Sequence, residues 1–393
     1  MENLMAVAAA FDGFRPAHQV LERVQAVPTV LIQYDHATRV GGHPTKRITL
    51  IHGPSGEGKT YKTLALVRSF LRVDNPALFI DAERTLEEDF AKMVLGGDET
   101  YQHPLFHPYI PTTYEDTVQK VRVWCNTVKK LRDDGRLPKE ACGLVVVDSI
   151  RKLVPEQQWD KITKLAKKAG DKDKVRDRSA QIKAMMNAAW CDELIPLLEQ
   201  TGCTMVIIAR EAEDPNADMR AKMGGYGYKV GGGAALYYDA SLDIRVERAT
   251  FVSKENLDAK GEKARPTIYG ERHRVTIKKS KIAGKEDRVT ICYFHTSNGV
   301  LVPPGLDAAR DVLELAKRFE IVRAPGAKKG APKKAGGGGW LSWGNHRWQG
   351  EHAAVKKLTS DPELLKALEY EVRLKFKQAN PIEVTLDGEV VGE

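Results

Sequence analysis

The chain has 393 residues, and its 61 lysines and arginines against 53 aspartates and glutamates give a formal net charge of +8. The apolar fraction of 42% and the charged fraction of 29% are ordinary for a globular protein. No apolar run approaches the roughly 18 residues that a membrane-spanning helix requires, and the apolar N-terminus lacks the basic start of a signal peptide. The five cysteines show no C-x-x-C spacing, which predicts reduced thiols and disfavours a zinc ribbon. The basic balance favours a polyanionic partner without identifying one.

Three regions follow one another along the chain. Residues 1–45 are predicted to form a short N-terminal oligomerisation helix, amphipathic at residues 18–27, and a linker. Residues 46–302 alternate short apolar runs with helix-length segments, and the runs are Ile48–Ile51, Ala77–Ile80, Leu144–Val147 and Met205–Ile208. This pattern predicts an α/β fold with a mostly parallel sheet flanked by helices. Residues 303–393 are predicted to form a small α+β C-terminal domain, with a basic Gly/Lys-rich stretch at 324–339 and a short acidic tail.

A phosphate-binding pattern, G-x-x-x-x-G-K-[ST], joins the first apolar run to a helix-length segment. Its residues are Gly53, Pro54, Ser55, Gly56, Glu57, Gly58, Lys59 and Thr60. The glycines let backbone N–H groups surround phosphates at the start of a helix, where the dipole favours negative charge. Lys59 is expected to contact the β- and γ-phosphates, and the Thr60 hydroxyl to bind Mg²⁺. The pattern therefore predicts a site for ATP and Mg²⁺.

Acidic residues follow two of the predicted strands. Asp148 ends the run Leu144–Val147 and is expected to complete the magnesium shell, with a helix N-cap as the alternative interpretation. Glu83 follows the run Ala77–Ile80. Hydrolysis needs a carboxylate that orients and deprotonates a water molecule, and Glu83 is the candidate.

Several of these motifs together resemble the bacterial RecA recombinase family in order and spacing. The resembling segments are residues 53–60, 79–83, 144–155, 231–236, 242–245 and 279–283 (Lys-Ser-Lys-Ile-Ala), and the tryptophan-rich tail from residue 340. The resemblance spans roughly residues 28–378, and its divergence is typical of a phage-type member. It implies a RecA-like P-loop core that binds ATP with Mg²⁺.

The resemblance also implies roles that spacing alone does not give. Phe90 falls where the family stacks an aromatic ring on adenine, and Glu87 falls where it places an acid near the base. Lys279 and Lys281 match lysines that reach the γ-phosphate held by the neighbouring protomer, where they would neutralise developing charge. A solvated basic strand is the alternative for these two lysines.

Two long polar segments, residues 156–181 and 211–233, match the family's DNA-binding loops. Both follow strands and are expected at the carboxyl edge of the sheet. Lysine and arginine side chains contact the phosphates of the DNA backbone, and aromatic rings stack on bases of any sequence. The DNA-binding candidates are Lys167, Lys168, Arg176, Arg178, Arg220, Lys222, Tyr226, Tyr228, Lys229, Gly232 and Gly233. Interspersed acids in the first segment leave a solvated surface helix as the alternative.

One departure from the family lies after the run Met205–Ile208. The family carries Asn-Gln there, and the Gln senses the γ-phosphate, whereas this chain carries Ala209 and Arg210. A guanidinium is always charged and offers a rigid fork of donors, so Arg210 is a candidate sensor. The alternative is a structural salt bridge to Glu211, Glu213 or Glu83.

The resemblance implies a cytoplasmic, DNA-dependent ATPase that polymerises as a helical filament on single-stranded DNA. Homologous pairing with double-stranded DNA and strand exchange would follow, with ATP at the protomer interfaces and no membrane association. Two alternatives remain open, a hexameric helicase of the same fold and a nucleotide-switched recombination mediator. The Lys-Ser-Lys-Ile-Ala segment disfavours the helicase, and the presence of Glu83 disfavours a non-hydrolysing mediator.

Overall fold

The computed structural model describes residues 24–157, 179–214, 217–219, 227–257, 263–283, 289–294, 305–324 and 339–379. The strands are β1 (Ala26–Val27), β2 (His43–Pro44), β3 (Ile48–His52), β4 (Ala77–Asp81), β5 (Phe106–Tyr109), β6 (Leu144–Asp148), β7 (Thr204–Ile208), β8 (Glu211–Glu213), β9 (Tyr228–Val230), β10 (Leu242–Leu257), β11 (Lys263–Ser280), β12 (Val289–Phe294), β13 (Gly305–Leu306), β14 (Trp340–Trp343) and β15 (His346–Gln349). The helices are α1 (Ile32–Thr38), α2 (Lys59–Leu71), α3 (Glu88–Leu95), α4 (Asp98–Tyr101), α5 (Tyr114–Asp133), α6 (Ser179–Thr201), α7 (Ala234–Asp239), α8 (Ala308–Arg318), α9 (Gly350–Ser360) and α10 (Pro362–Ala379).

A nine-stranded sheet organises the core, in the order β13-β12-β11-β10-β3-β7-β6-β4-β5. The strands from β10 to β5 are parallel to one another, whereas β11, β12 and β13 add antiparallel pairs beyond β10. The four apolar runs of the sequence form β3, β4, β6 and β7 at the centre. The predicted mostly parallel α/β sheet is confirmed.

Both faces of this sheet are buried. Along β6, Leu144 and Val146 belong to one apolar cluster with residues of α2, and Val145 and Val147 belong to another with residues of α5 and α6. This division follows from the period-two alternation of strand side chains. A parallel sheet covered on both faces binds its ligands beyond the carboxyl ends of its strands.

Two hairpins extend from that carboxyl edge. The strands β8 and β9 pair antiparallel directly after β7, with Glu211 opposite Val230. The strand β10 pairs with β3 only over residues 242–245 and then continues with β11 as far as Leu257. The hairpin formed by β8 and β9 lies within the predicted second DNA-binding segment, residues 211–233.

The N-terminal segment from residue 24 packs into the rest of the protein. Leu31 of this segment lies in the α2-side cluster, whereas Ile32 packs among C-terminal residues. The buried Asp35 carboxylate pairs with Arg373 of α10 at 2.9 Å. The predicted amphipathic helix through residue 27 is wrong at its end, because Ala26 and Val27 form β1 and pair with β2; residues 18–23 lie outside the described residues.

The C-terminal region combines the hairpin β14–β15 with α8, α9 and α10, as an α+β unit. Leu341 and Trp348 are buried in its apolar cluster, while Trp340 is 48% exposed. The tryptophans therefore contribute mainly to a compact core. The basic stretch predicted at residues 324–339 lies almost entirely outside the described residues.

Four cysteines are buried with free thiols, namely Cys125, Cys142, Cys191 and Cys203. Burial raises the pKa of the Cys191 thiol to about 12, which suppresses the reactive thiolate. None of the helices that the structure describes has the length and apolar character needed to cross a membrane.

Candidate nucleotide-binding site

The loop of residues 53–60 joins β3 to α2 and requires glycine at two positions. A side chain at Gly53 would place its Cβ 2.0 Å from the Val246 carbonyl oxygen of β10. Gly58 caps α2 in a left-handed conformation (φ 80°), and a Cβ there would meet the His273 ring at 2.2 Å. The loop is thus packed closely against the β10–β11 hairpin, and it leads into the N-terminus of α2, where the first N–H groups of a helix suit phosphate.

Lys59 lies buried inside the loop. Its ammonium donates hydrogen bonds to the carbonyl oxygens of Gly53, at 3.0 Å, and Pro54, at 2.5 Å. Burial lowers the pKa of Lys59, and the nearby Asp148 carboxylate opposes that shift. The carbonyl groups of the loop therefore hold the lysine in a fixed position inside it.

Thr60 and Asp148, the two predicted Mg²⁺ ligands, are in direct contact. The Thr60 hydroxyl donates to Asp148 Oδ2 at 2.5 Å. Burial raises the pKa of Asp148 to about 6, although the Thr60 hydrogen bond lowers it. An adjacent hydroxyl and carboxylate suit Mg²⁺, which is held by few protein oxygens together with waters and substrate phosphates, and their role as its ligands stays a prediction.

Glu83 lies beside this pair and accepts three hydrogen bonds. Ser149 Oγ donates to its Oε1 at 2.6 Å, and Arg210 donates from Nη2 to Oε2 at 2.5 Å and from Nε to Oε1 at 3.2 Å. Burial alone would raise the pKa of Glu83, but the bonds from Ser149 and Arg210 outweigh it, so the pKa is lowered. The carboxylate is therefore ionised at neutral pH.

Arg210 contacts Glu83 and none of the other predicted acidic partners that can be described. Glu211 turns instead toward His52 and Arg245, and the side chain of Glu213 lies outside the described residues. The side chains of Arg210 and Glu83 are 30% and 14% exposed. The salt bridge is thus the arrangement of Arg210 in this structure, and its role as a phosphate sensor stays a prediction.

The adenine candidates lie at the start of α3. Glu87 is the exposed N-cap residue of this helix, and Phe90 is half-buried against the α2-side cluster. Their contact with a base stays a prediction.

Lys279 and Lys281 lie at the end of β11 and bind the C-terminus of α7. Lys279 Nζ donates to the carbonyl oxygens of Tyr237 and Tyr238, the latter at 2.9 Å, and Lys281 Nζ donates to that of Tyr238 at 2.5 Å. Cations at a helix C-terminus complement its dipole. Both ammonium groups are at the surface, and the tyrosines that they contact were not found by sequence reasoning.

Only part of the predicted DNA-binding surface is described. Lys229 is exposed and lies 3.0 Å from Asp214, the Gly232 carbonyl accepts a hydrogen bond from Asn187 at 2.7 Å, and Gly233 precedes α7. The Tyr228 ring packs against the Arg245 guanidinium, whose Cζ lies 4.7 Å from the centre of the ring. The other candidates lie outside the described residues: Lys167, Lys168, Arg176, Arg178, Arg220, Lys222 and Tyr226.

This site lies at the carboxyl edge of a parallel sheet and combines a phosphate-binding loop, a hydroxyl–carboxylate pair and an adjacent acid. This is the arrangement that P-loop nucleoside triphosphatases use. The family model of the RecA N-terminal domain matches residues 15–102. "Protein RecA" of Clavibacter michiganensis is 26% identical over 90% of this chain and 80% of the relative, and that of Thermus aquaticus is 27% identical over 94% and 90%. "Protein RecA" of Acholeplasma laidlawii is 25% identical over 90% and 88%. The chain is therefore similar to RecA proteins over most of its length, at an identity of 25–27% to these three relatives.

Proposed function

We propose that this protein is an ATP-dependent recombinase that forms a helical filament on single-stranded DNA and exchanges strands with homologous double-stranded DNA. The observation that carries the proposal is the position of Arg210. It pairs with the candidate catalytic acid Glu83, and the hairpin of the second DNA-binding segment begins at the next residue. The hydrolytic site and the base of the candidate DNA-binding loop are therefore adjacent in space and in sequence.

ATP hydrolysis is assigned to groups that the chain already holds together. Lys59 would exchange its two loop carbonyls for phosphate oxygens, while Thr60 and Asp148 hold Mg²⁺. The metal, when bound, neutralises charge on the phosphates. Glu83 is ionised and accepts the proton of the attacking water molecule, and Ser149 fixes the orientation of its carboxylate.

The filament places a second set of charges at each ATP. Lys279 and Lys281 are held at the surface by the carbonyl groups at the end of α7, and we assign them to the nucleotide of the neighbouring protomer. A lysine can exchange a carbonyl partner for a phosphate without refolding its strand. Assembly would therefore complete the active site, which makes hydrolysis depend on filament formation.

DNA is assigned to residues 156–181 and 211–233, whose cations would line the filament axis in the cytoplasm of a bacterial cell. Such contacts are made to the backbone and suit any sequence, as homologous pairing requires. The homology itself is read by base pairing between the two DNA molecules.

Negative-stain microscopy and ATP turnover, each with and without single-stranded DNA, test this function, with Lys59→Ala as the matched inactive control. Helical filaments with an ATP analogue and DNA-stimulated turnover are expected. A strand-exchange assay on homologous and heterologous duplexes then tests the finer activity. Closed rings would indicate a helicase, and filaments without turnover would indicate a nucleotide-switched mediator.

A further inference from the structure

A cluster of charged side chains lies where the β8–β9 hairpin meets the phosphate-binding loop. His52 is the last residue of β3, immediately before Gly53, and its ring is buried. Its Nδ1 lies 2.7 Å from Glu211 Oε1. Its Nε2 lies 3.0 Å from Asp243 Oδ1, as an ion-pair contact without the angles of a directed hydrogen bond. The ring thus lies between two carboxylates.

Arg245 completes the cluster from β10. Its Nε and Nη2 donate to the two carboxylate oxygens of Glu211, at 2.9 and 3.3 Å, and its Nη1 donates to Glu247 at 2.5 Å. The ring of Tyr228, from β9, packs against the Arg245 guanidinium and the His52 ring. Both strands of the hairpin are therefore attached to β3 and β10.

Glu211 is the centre of these contacts, although ATP hydrolysis as described above does not use it. Its side chain is only 5% exposed, and a buried carboxylate is retained at low cost only when it is paired and hydrogen-bonded. If the hairpin moved away from His52 and Arg245, the Glu211 carboxylate would remain as a buried charge without its partners. This cost holds the base of the hairpin in one position relative to β3.

The same residue also contacts the phosphate-binding loop directly. The Gly53 carbonyl accepts a hydrogen bond from Lys59 Nζ at 3.0 Å and a longer one from the Glu211 backbone N–H at 3.4 Å. When Lys59 turns to a phosphate, the Gly53 carbonyl loses its charged donor and keeps Glu211. The loop and the first residue of the hairpin are therefore in direct contact at Gly53, and the Glu211 side chain fixes that contact through His52 and Arg245.

We propose that Glu211 is a positioning residue that couples the phosphate-binding loop to the β8–β9 hairpin, through His52 on one side and Arg245 on the other. This inference deepens the proposed function, since it gives the path by which ATP would act on the DNA-binding segment. It makes the hairpin respond to nucleotide in the absence of DNA.

Hydrogen–deuterium exchange of residues 211–230, with and without a non-hydrolysable ATP analogue and without DNA, tests the proposal. Nucleotide should change exchange of the wild-type hairpin by about tenfold, the size expected from altering one hydrogen bond to a charged group. In Glu211→Gln, which keeps the shape and loses the charge, the change should fall to within about twofold. Nucleotide affinity of this variant should stay near the wild-type value.

Asp214→Asn is the matched control, because Asp214 lies on the same hairpin and pairs with Lys229 at the surface. It should keep the wild-type response. If Glu211→Gln does not fold, as judged by thermal melting, His52→Asn removes the same contact from the other side and should give the same loss. The proposal is overturned if the wild type shows no nucleotide response, if Glu211→Gln keeps it, or if Asp214→Asn loses it equally. DNA binding of the wild type, measured separately, tests the proposed function independently.

Discussion

Arg210→Ala is the substitution that bears most directly on how ATP would control DNA binding. It removes both hydrogen bonds that the guanidinium donates to Glu83 and leaves Lys59, Thr60 and Asp148 unchanged. We expect ATP affinity to stay within a few-fold of the wild-type value. The tighter DNA binding that ATP confers over ADP should be lost.

The structure sets the size of the effect. Hydrogen bonds to charged groups contribute about 1.5–3 kcal/mol each, and the pair is partly exposed, at 30% and 14%, so the lower end applies. If the Arg210 guanidinium exchanges Glu83 for a γ-phosphate, the equilibrium between two positions of the DNA-binding hairpin would shift by about tenfold. The ratio of DNA dissociation constants with ADP and with ATP analogue should fall by about this factor in Arg210→Ala.

Fluorescence anisotropy with labelled single-stranded DNA, at one fixed salt concentration, measures the ratio. Arg210→Gln is the matched variant, because it restores the amide found in the family and should recover part of the difference. If Arg210→Ala still binds DNA much more tightly with ATP than with ADP, Arg210 is a structural partner of Glu83 and the sensor lies elsewhere.

Three further predictions concern catalysis, assembly and pH. Glu83→Gln should keep ATP and Mg²⁺ binding while turnover falls by on the order of 10² or more, and normal DNA-stimulated turnover would remove Glu83 from the active site. Alanine at Lys279 and Lys281 together should abolish DNA-stimulated turnover, and mixing with Lys59→Ala protein should restore some of it across interfaces; a wild-type rate in the double variant would refute action in trans. Burial lowers the pKa of His52, but Asp243 and Glu211 raise it more, so it exceeds the ordinary 6.5. The stability that protonated His52 contributes is therefore complete below about pH 6.5 and lost as the pH rises through the folded-state pKa. The melting temperature of the wild type should exceed that of His52→Gln more at about pH 6 than at about pH 9, and an equal difference would contradict the charged histidine.

The sequence predicted the central sheet and the phosphate-binding loop because both are local patterns. Four apolar runs became β3, β4, β6 and β7, since a strand buried on both faces has few polar positions. Asp148 could be placed for the same reason, as an acid directly after such a run, and it does meet Thr60.

The cluster around Glu211 could not be predicted in this way. Glu211 is 159 positions from His52 and 34 from Arg245, and the contact depends on the order β10-β3-β7 within the sheet. Periodicity gives the strands but not which ones become neighbours. The available signal was polar residues near the ends of neighbouring apolar runs, His52 after Ile48–Ile51 and Glu211 after Met205–Ile208.

The distribution of charge around Arg210 is consistent with its proposed role as a phosphate sensor. Asp81 and Glu83 lie close enough to Asp148 to raise its pKa, so this edge of the sheet gathers three carboxylates. Arg210 and Lys59 are the cations placed among them. A γ-phosphate brings further negative charge, and it would compete with Glu83 for the same guanidinium. Release of Glu83 would then require a phosphate at the site, so the acid that activates water would become free only when there is a bond to hydrolyse. A neutral amide at this position would bind either Glu83 or the γ-phosphate far more weakly than a guanidinium does. If Arg210 is the phosphate sensor, it would link sensing to catalysis through one side chain, and Arg210→Gln should then recover only part of the response.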